Sequence, residues 1–139
     1  MIRTCPGCSQ KNRVAGRHVV SVVRCGKCRT ELPPPAEPID ADEELFDEVV
    51  GGSPVPVLVD FWAGWCAPCR RAAPEVARAA SETAGRAVVL KVDTEAWPGL
   101  AARSQVQSIP NFVVPSGGRV VVQQPGLVPS AQLVAWLTT

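Results

Sequence analysis

Six cysteines are the residues of this chain whose type and spacing can do chemistry. They fall into three Cys-x-x-Cys pairs: Cys5/Cys8, Cys25/Cys28 and Cys66/Cys69. A pair so spaced can hold a metal, form a structural disulfide, or cycle between dithiol and disulfide. A secreted disulfide framework is disfavoured, because the opening MIRTCPGCSQ is polar and has no apolar signal region. The expected compartment is therefore the cytoplasm, where thiols are kept reduced.

The outer two pairs read together. Sixteen residues separate Cys8 from Cys25, inside the window of roughly 15–20 that marks a four-cysteine zinc site. CPGC and CGKC place Pro or Gly in each loop, where a tight turn exposes backbone amides to the sulfurs. RHVVSVVRC between them is expected to form a strand returning the second loop to the first. Cys5, Cys8, Cys25 and Cys28 then close a tetrahedral shell around Zn2+, and the single histidine, His18, is left as a surface strand residue. A 34-residue head has little apolar surface, so bound metal would supply its folding energy. Its cations (Arg3, Lys11, Arg13, Arg17, Arg24, Lys27, Arg29) are expected to offset the formal charge of the thiolate cluster. Contact with an acidic protein is the alternative. Nucleic-acid contact is not expected, since the head has no aromatic side chain for stacking.

Two thiols alone make a poor metal site, so Cys66/Cys69 calls for different chemistry. The pair follows a strand and opens a helix, the setting of a redox-active Cys-x-x-Cys. The helix start places roughly half a positive charge near Cys66 and favours its thiolate. Acidity alone is a weak lever. A fall in pKa from ~8.5 to ~7 raises the thiolate fraction at pH 7 about 16-fold and gives back about 5-fold in nucleophilicity. Intramolecular attack by Cys69 on a mixed disulfide at Cys66 contributes more, through effective molarity. Cys69 is accordingly expected to be the buried resolving thiol.

The surrounding elements must position these groups. ELPPPAEP (Glu31–Pro38) has four prolines and reads as a stiff spacer. This divides the chain into a zinc-ribbon-like head (1–34), a Pro-rich linker (32–39) and a body (40–139). In the body, IDADEELFDEVVGG reads as a helix with Asp40 at its N-cap and Glu43 three residues on. VPVLVDFW and AVVLKVD read as buried strands. CAPCRRAAPEVARAASETAG reads as a helix carrying Pro68 in its first turn and Pro74 within. WPGLAARSQV is expected to be a short helix, NFVVPSGGRVVVQQPG a hairpin turning at Ser116–Gly118, and SAQLVAWL a final amphipathic helix. This alternation predicts an α/β fold with a mixed central sheet flanked by helices.

Composition is compatible with this reading. Apolar residues make up 46 per cent of the 139, enough for a packed core without disulfide staples. Net charge is +1, but residues 1–34 hold seven of the fourteen Lys and Arg and one of the thirteen acidic residues. No stretch approaches the ~18 consecutive apolar residues of a membrane span, so no membrane partner is expected.

VDFWAGWCAPCR resembles the active-site segment of the thioredoxin family, usually written WCGPC. The resemblance runs over residues ~40–139 through KVDTE, SIPNF and Pro125-Gly126, and the cysteine-rich head is similar to that of the bacterial thioredoxin-2 type. It implies a thioredoxin fold, dithiol reduction of protein disulfides as substrates, re-reduction by an NADPH-dependent thioredoxin reductase, and no organic cofactor of its own. A monomer is expected. It also implies roles by position. Asp60 would be a buried carboxylate that accepts the Cys69 proton, with Lys91 as its partner. Trp65 would shield the cysteines and Trp62 pack beside them. Pro110 would be the cis-proline facing Cys66. The Ile109 backbone, Gly126, Ala67 and Pro68 would border the substrate groove. Ala67 stands where glycine is usual, Asn111 where threonine is common, and SQVQSIP lacks an aromatic; these departures bear on reduction potential. A redox-switched binding module, in which oxidation ejects zinc, is the other class of function the thiols allow.

Overall fold

The computed structural model describes residues 1–138, so the final residue of the expected body lies outside the described residues. The head is built from two small antiparallel hairpins. β1 (Ile2–Thr4) pairs with β2 (Lys11–Arg13), and β3 (Val23–Arg24) with β4 (Glu31–Leu32). Each wraps one Cys-x-x-Cys turn, and the two turns repeat each other. The Cys5 amide donates to Gln10 O at 2.9 Å and the Cys25 amide to Thr30 O at 2.8 Å. The residue after each second cysteine, Ser9 or Arg29, takes a positive φ of 64° or 67°.

One expectation for the head is corrected. RHVVSVVRC is not one strand: Gly16–His18 forms a 3-10 turn, and only Val23–Arg24 is extended. His18 is exposed on that turn. The cause is tertiary. Val19, fully buried, joins the core of the body beside Phe46 and Val49, so this stretch turns inward instead of running along the head. Arg3 also has a structural task. It is 7% exposed, and its guanidinium donates to the carbonyls of Ser21, Leu32 and Pro33, tying both hairpins together.

β5 (Ile39–Asp40) opens the body and is followed by α1 (Glu43–Gly52), β6 (Val57–Trp62), α2 (Ala67–Glu82), β7 (Val88–Asp93) and α3 (Pro98–Arg103). The hairpin β8 (Asn111–Ser116) and β9 (Arg119–Pro125) then leads to α4 (Ser130–Thr138). Sheet order is β5-β7-β6-β8-β9, with the first three parallel and β8 and β9 antiparallel. The N-cap of α1 is Asp42, whose carboxylate accepts from Leu45 N at 2.8 Å. Asp40 cannot serve, because it is held in β5 opposite Lys91.

β6 is buried on both faces, as a central parallel strand must be. Val57, Val59 and Phe61 pack with Phe46 and Val49 of α1 and Leu100 of α3. Leu58 points the other way, to Ala72 and Val76 of α2 and Leu133 and Leu137 of α4. Asp60 lies on that second face by the alternation of the strand, and β6 ends directly before the cysteine turn. No described helix is long and apolar enough to cross a membrane.

Candidate functional site

Cys66 is the N-cap residue of α2, with extended backbone (φ −85°, ψ 108°), and its sulfur accepts from the Cys69 amide at 3.2 Å. Pro68 lies in the first turn, where an amide would find no intrahelical partner, so its missing N–H costs nothing. Cys66 and Cys69 form a disulfide, with Cα atoms 5.2 Å apart. Residue exposures are 3% for Cys66 and 6% for Cys69. Cys69 is buried as expected, but so is Cys66, so burial alone does not tell the two apart. Helical position does. The Cys66 sulfur is the one hydrogen-bonded by a first-turn amide, where a thiolate is stabilised by both donor and dipole.

On β6, the strand that leads into the cysteine turn, sits a buried carboxyl group. Asp60 is 3% exposed, and its Oδ1 has no hydrogen-bond partner among the described residues. Burial pushes its pKa up to about 7, and the Lys91 ammonium opposes that rise. Lys91 stands opposite Asp60 in the β6–β7 register, with its Nζ 4.5 Å from the centroid of the Trp62 ring. Asp60, Lys91 and Trp62 thus form one cluster, and its charge state is finely balanced near neutrality. A free surface charge at Asp60 is excluded by its burial.

The residues expected to border a substrate groove lie around the cysteines. Trp65 is 67% exposed, and its indole N–H donates to Glu95 at 2.7 Å. Ala67 and Pro68 are exposed. The Ile109–Pro110 peptide is cis, and the Ile109 carbonyl oxygen lies 3.8 Å from the Cys66 sulfur. Gly126 donates its amide to Pro110 O at 2.8 Å with a φ of 91°, a conformation glycine accepts without strain.

In the head, the sulfurs of Cys5, Cys8, Cys25 and Cys28 all lie within 4.8 Å of one another. Cys5 and Cys28 are 3.5 Å apart and Cys8 and Cys25 3.6 Å. A regular tetrahedron with metal–sulfur bonds of about 2.3 Å has edges of about 3.8 Å. The cluster matches that size, so these residues could hold a metal ion. Gly7 N donates to the Cys5 sulfur at 3.3 Å and Lys27 N to that of Cys25 at 3.4 Å. Hydrogen bonds from the Cys28 and Lys27 backbones hold the Cys25 thiol down at about 6 against the effect of burial. The Thr30 hydroxyl and amide lower Cys28. At Cys8 the Gln10 backbone lowers the pKa, but burial and the other three cysteines outweigh it and push the thiol up to about 12.

Two contributors escaped sequence reading. Glu95, which holds Trp65, carries no local signal beyond its place in KVDTE. Gln123 on β9 donates to Ser104 O at 3.0 Å and to Asn111 Oδ1 at 3.4 Å, bracing the segment after Pro110. Its partner could be found only by knowing the β8–β9 register.

Residues 37–139 match the family model described as Thioredoxin. Thioredoxin C-3 of Corynebacterium nephridii is 38% identical over 137 residues, covering 99% of this chain and 93% of its own, so that match runs through the head. Thioredoxin 1 of Chlorobaculum tepidum is 41% identical over 90 residues, 65% of this chain and 89% of its own. Among solved structures, a mutant thioredoxin from Halobacterium salinarum NRC-1 superimposes with a TM-score of 0.66 at 31% identity, covering 74% of this chain and 89% of that one. Chloroplastic thioredoxin z gives 0.66 at 27% identity, covering 73% and 91%.

Proposed function

The chain belongs to the thioredoxin family and is a disulfide oxidoreductase, and we propose that it works as a cytoplasmic protein-disulfide reductase recycled by an NADPH-dependent thioredoxin reductase. The observation that carries this reading is the placement of Cys66. It caps α2, is paired with Cys69, and lies between exposed Trp65 and the Ile109 carbonyl.

The disulfide form described above is the product of turnover. In the reduced form the Cys66 thiolate attacks one sulfur of a substrate disulfide and expels the other as a thiolate. Cys69 then attacks the Cys66 sulfur, closes the intramolecular disulfide and releases the second substrate thiolate. Two electrons pass to the substrate. Asp60, with a pKa near neutrality, is suited to accept the Cys69 proton during release, through an intervening water if direct reach is lacking. Lys91 biases that carboxyl toward its charged form. The substrate strand would pair with the Ile109 backbone, bordered by Trp65, Ala67, Pro68, Pro110 and Gly126.

Cys5, Cys8, Cys25 and Cys28 would hold Zn2+ in a closed four-thiolate shell, which leaves no open position for chemistry and so contributes folding energy. Turnover of insulin by the protein with NADPH and a thioredoxin reductase tests the redox reading. Cys66→Ser should abolish it and Cys69→Ser should trap a mixed disulfide. No turnover by the unmodified, metal-loaded protein would overturn the assignment.

A further inference from the structure

A cleft of about 710 Å³ lies between head and body, away from the groove at Ile109 and Gly126. The head supplies Ile2 and Arg13; β5 and the start of α1 supply Asp40 and Glu44; the end of β7 and the following loop supply Lys91 and Trp97. The volume is that of a ligand pocket rather than a packing defect. Its walls are of two kinds. Ile2 and Trp97 are 49% and 36% exposed, and Ile39, Leu45 and Ala96 add further apolar surface. Asp40, Asp42, Glu44 and Asp93 also line it, and none has an ion-pair partner among the described residues. Against these stand the side chains of Arg13 and Lys91, and Lys91 is already engaged by the Trp62 ring. The Met1 ammonium is paired with Glu48.

Two elements link the cleft to the redox site. Trp97 lies two residues beyond Glu95, which holds Trp65 beside Cys66. Lys91, in its wall, is the residue opposite Asp60. We propose that this cleft is a second contact for the protein substrate, taking a segment near the disulfide that carries Lys or Arg together with aliphatic side chains. The cations would meet the unpaired carboxylates, and the aliphatic groups would cover Ile2, Leu45 and Trp97. An acidic segment would instead bring like charges together. Because the head builds one wall, it would take part in choosing substrates while making no contact with the reacting sulfurs. The proposal rests on the reductase reading and narrows its substrate class.

The test uses the full, metal-loaded protein, pre-reduced, in single turnover. Two cystine peptides differ only in a flanking Lys-Leu-Lys-Leu or Glu-Leu-Glu-Leu segment, set off by a Gly/Ser spacer of roughly 3 to 9 residues to span the distance. The neutral hydroxyethyl disulfide serves as a small substrate that cannot reach the cleft. We expect the lysine peptide to react about 5- to 10-fold faster at low ionic strength, with the difference collapsing near ~0.5 M salt. The pair Asp40→Asn/Glu44→Gln should erase the preference and leave the small disulfide unaffected, while Arg13→Gln should enlarge it. Equal rates for both peptides, or a preference that survives in the double variant, overturn the proposal and leave the reductase reading standing if the small disulfide is still reduced. Failure to reduce any of the three overturns both. A dimer in sedimentation that the same double variant dissociates would give the cleft to a second copy, and so also overturn it.

Discussion

Asp60 is a carboxyl group whose folded-state pKa, about 7, lies above its ordinary value of 3.8, and burial is the main cause. Between those two values the folded chain binds more protons at this site than the unfolded chain does. Stability from this residue is therefore highest below pH ~4, falls as pH rises, and is at its lowest above pH ~7. Asp60→Asn keeps the shape and removes the ionisation. We expect the oxidised variant to be more stable than the parent, by a margin that grows about 2–3 kcal/mol between pH 5 and pH 8. Denaturant titrations at the two pH values check this, and a margin independent of pH would mean that Asp60 is not held above its ordinary range. The same substitution should slow release of the second substrate thiolate in stopped flow. A carboxyl held near neutrality at a stability cost is suited to the proton-accepting role proposed for Asp60.

The loop between β7 and α3 joins the surroundings of Cys66 to the cleft beside the head, because Glu95 fixes the exposed indole of Trp65 and Trp97 lines the cleft. Removing that hydrogen bond with Glu95→Ala should let Trp65 rotate. We expect KM for insulin to rise about 3- to 10-fold, with little change for a small disulfide, since a positioning contact acts on macromolecular substrates. An unchanged KM would show that Trp65 needs no such restraint. Elements of this kind divide by how local their cause is. β6, α2 and the β8–β9 hairpin were legible because β-branched runs, a capping position and a Ser-Gly-Gly turn act within a few residues. The cysteine spacing likewise pointed to the Cys66–Cys69 pair and to the cluster of the other four. Asp42 as the α1 cap was missed by two residues, because the parallel pairing of Asp40 with Lys91 decides where the strand stops. RHVVSVVRC was misread for a similar reason: its valines belong to different cores, Val19 to the body and Val23 to the head. Nothing within that stretch distinguishes them.

At the scale of the whole molecule, head and body are coupled through shared packing. Val19 is fully buried among Val49, Val59 and Leu90. Gly16 lies so close to α1 that a Cβ there would strike the Glu48 carbonyl, and Gly52 lies against the Arg17 backbone. If the head holds Zn2+ as proposed, the folding energy of that site should therefore stabilise the body as well. Tryptophan fluorescence reports this without ambiguity, because Trp62, Trp65, Trp97 and Trp136 all lie in the body. Under reducing conditions, chelation of the metal, or Cys25→Ser, should release the head and withdraw Val19. Loss of one buried valine contact set is worth about 2 kcal/mol, which for a chain of this size lowers the fluorescence melting point by about 6 °C. Gly16→Ala should lower it in the metal-bound protein and shrink the further effect of chelation, since the head would already be displaced. If chelation leaves the tryptophan transition where it was, the metal stabilises the head alone and Val19 stays in place without it. The turnover of a small disulfide should survive chelation at temperatures below the lowered transition, because no ligand of the cluster touches Cys66 or Cys69.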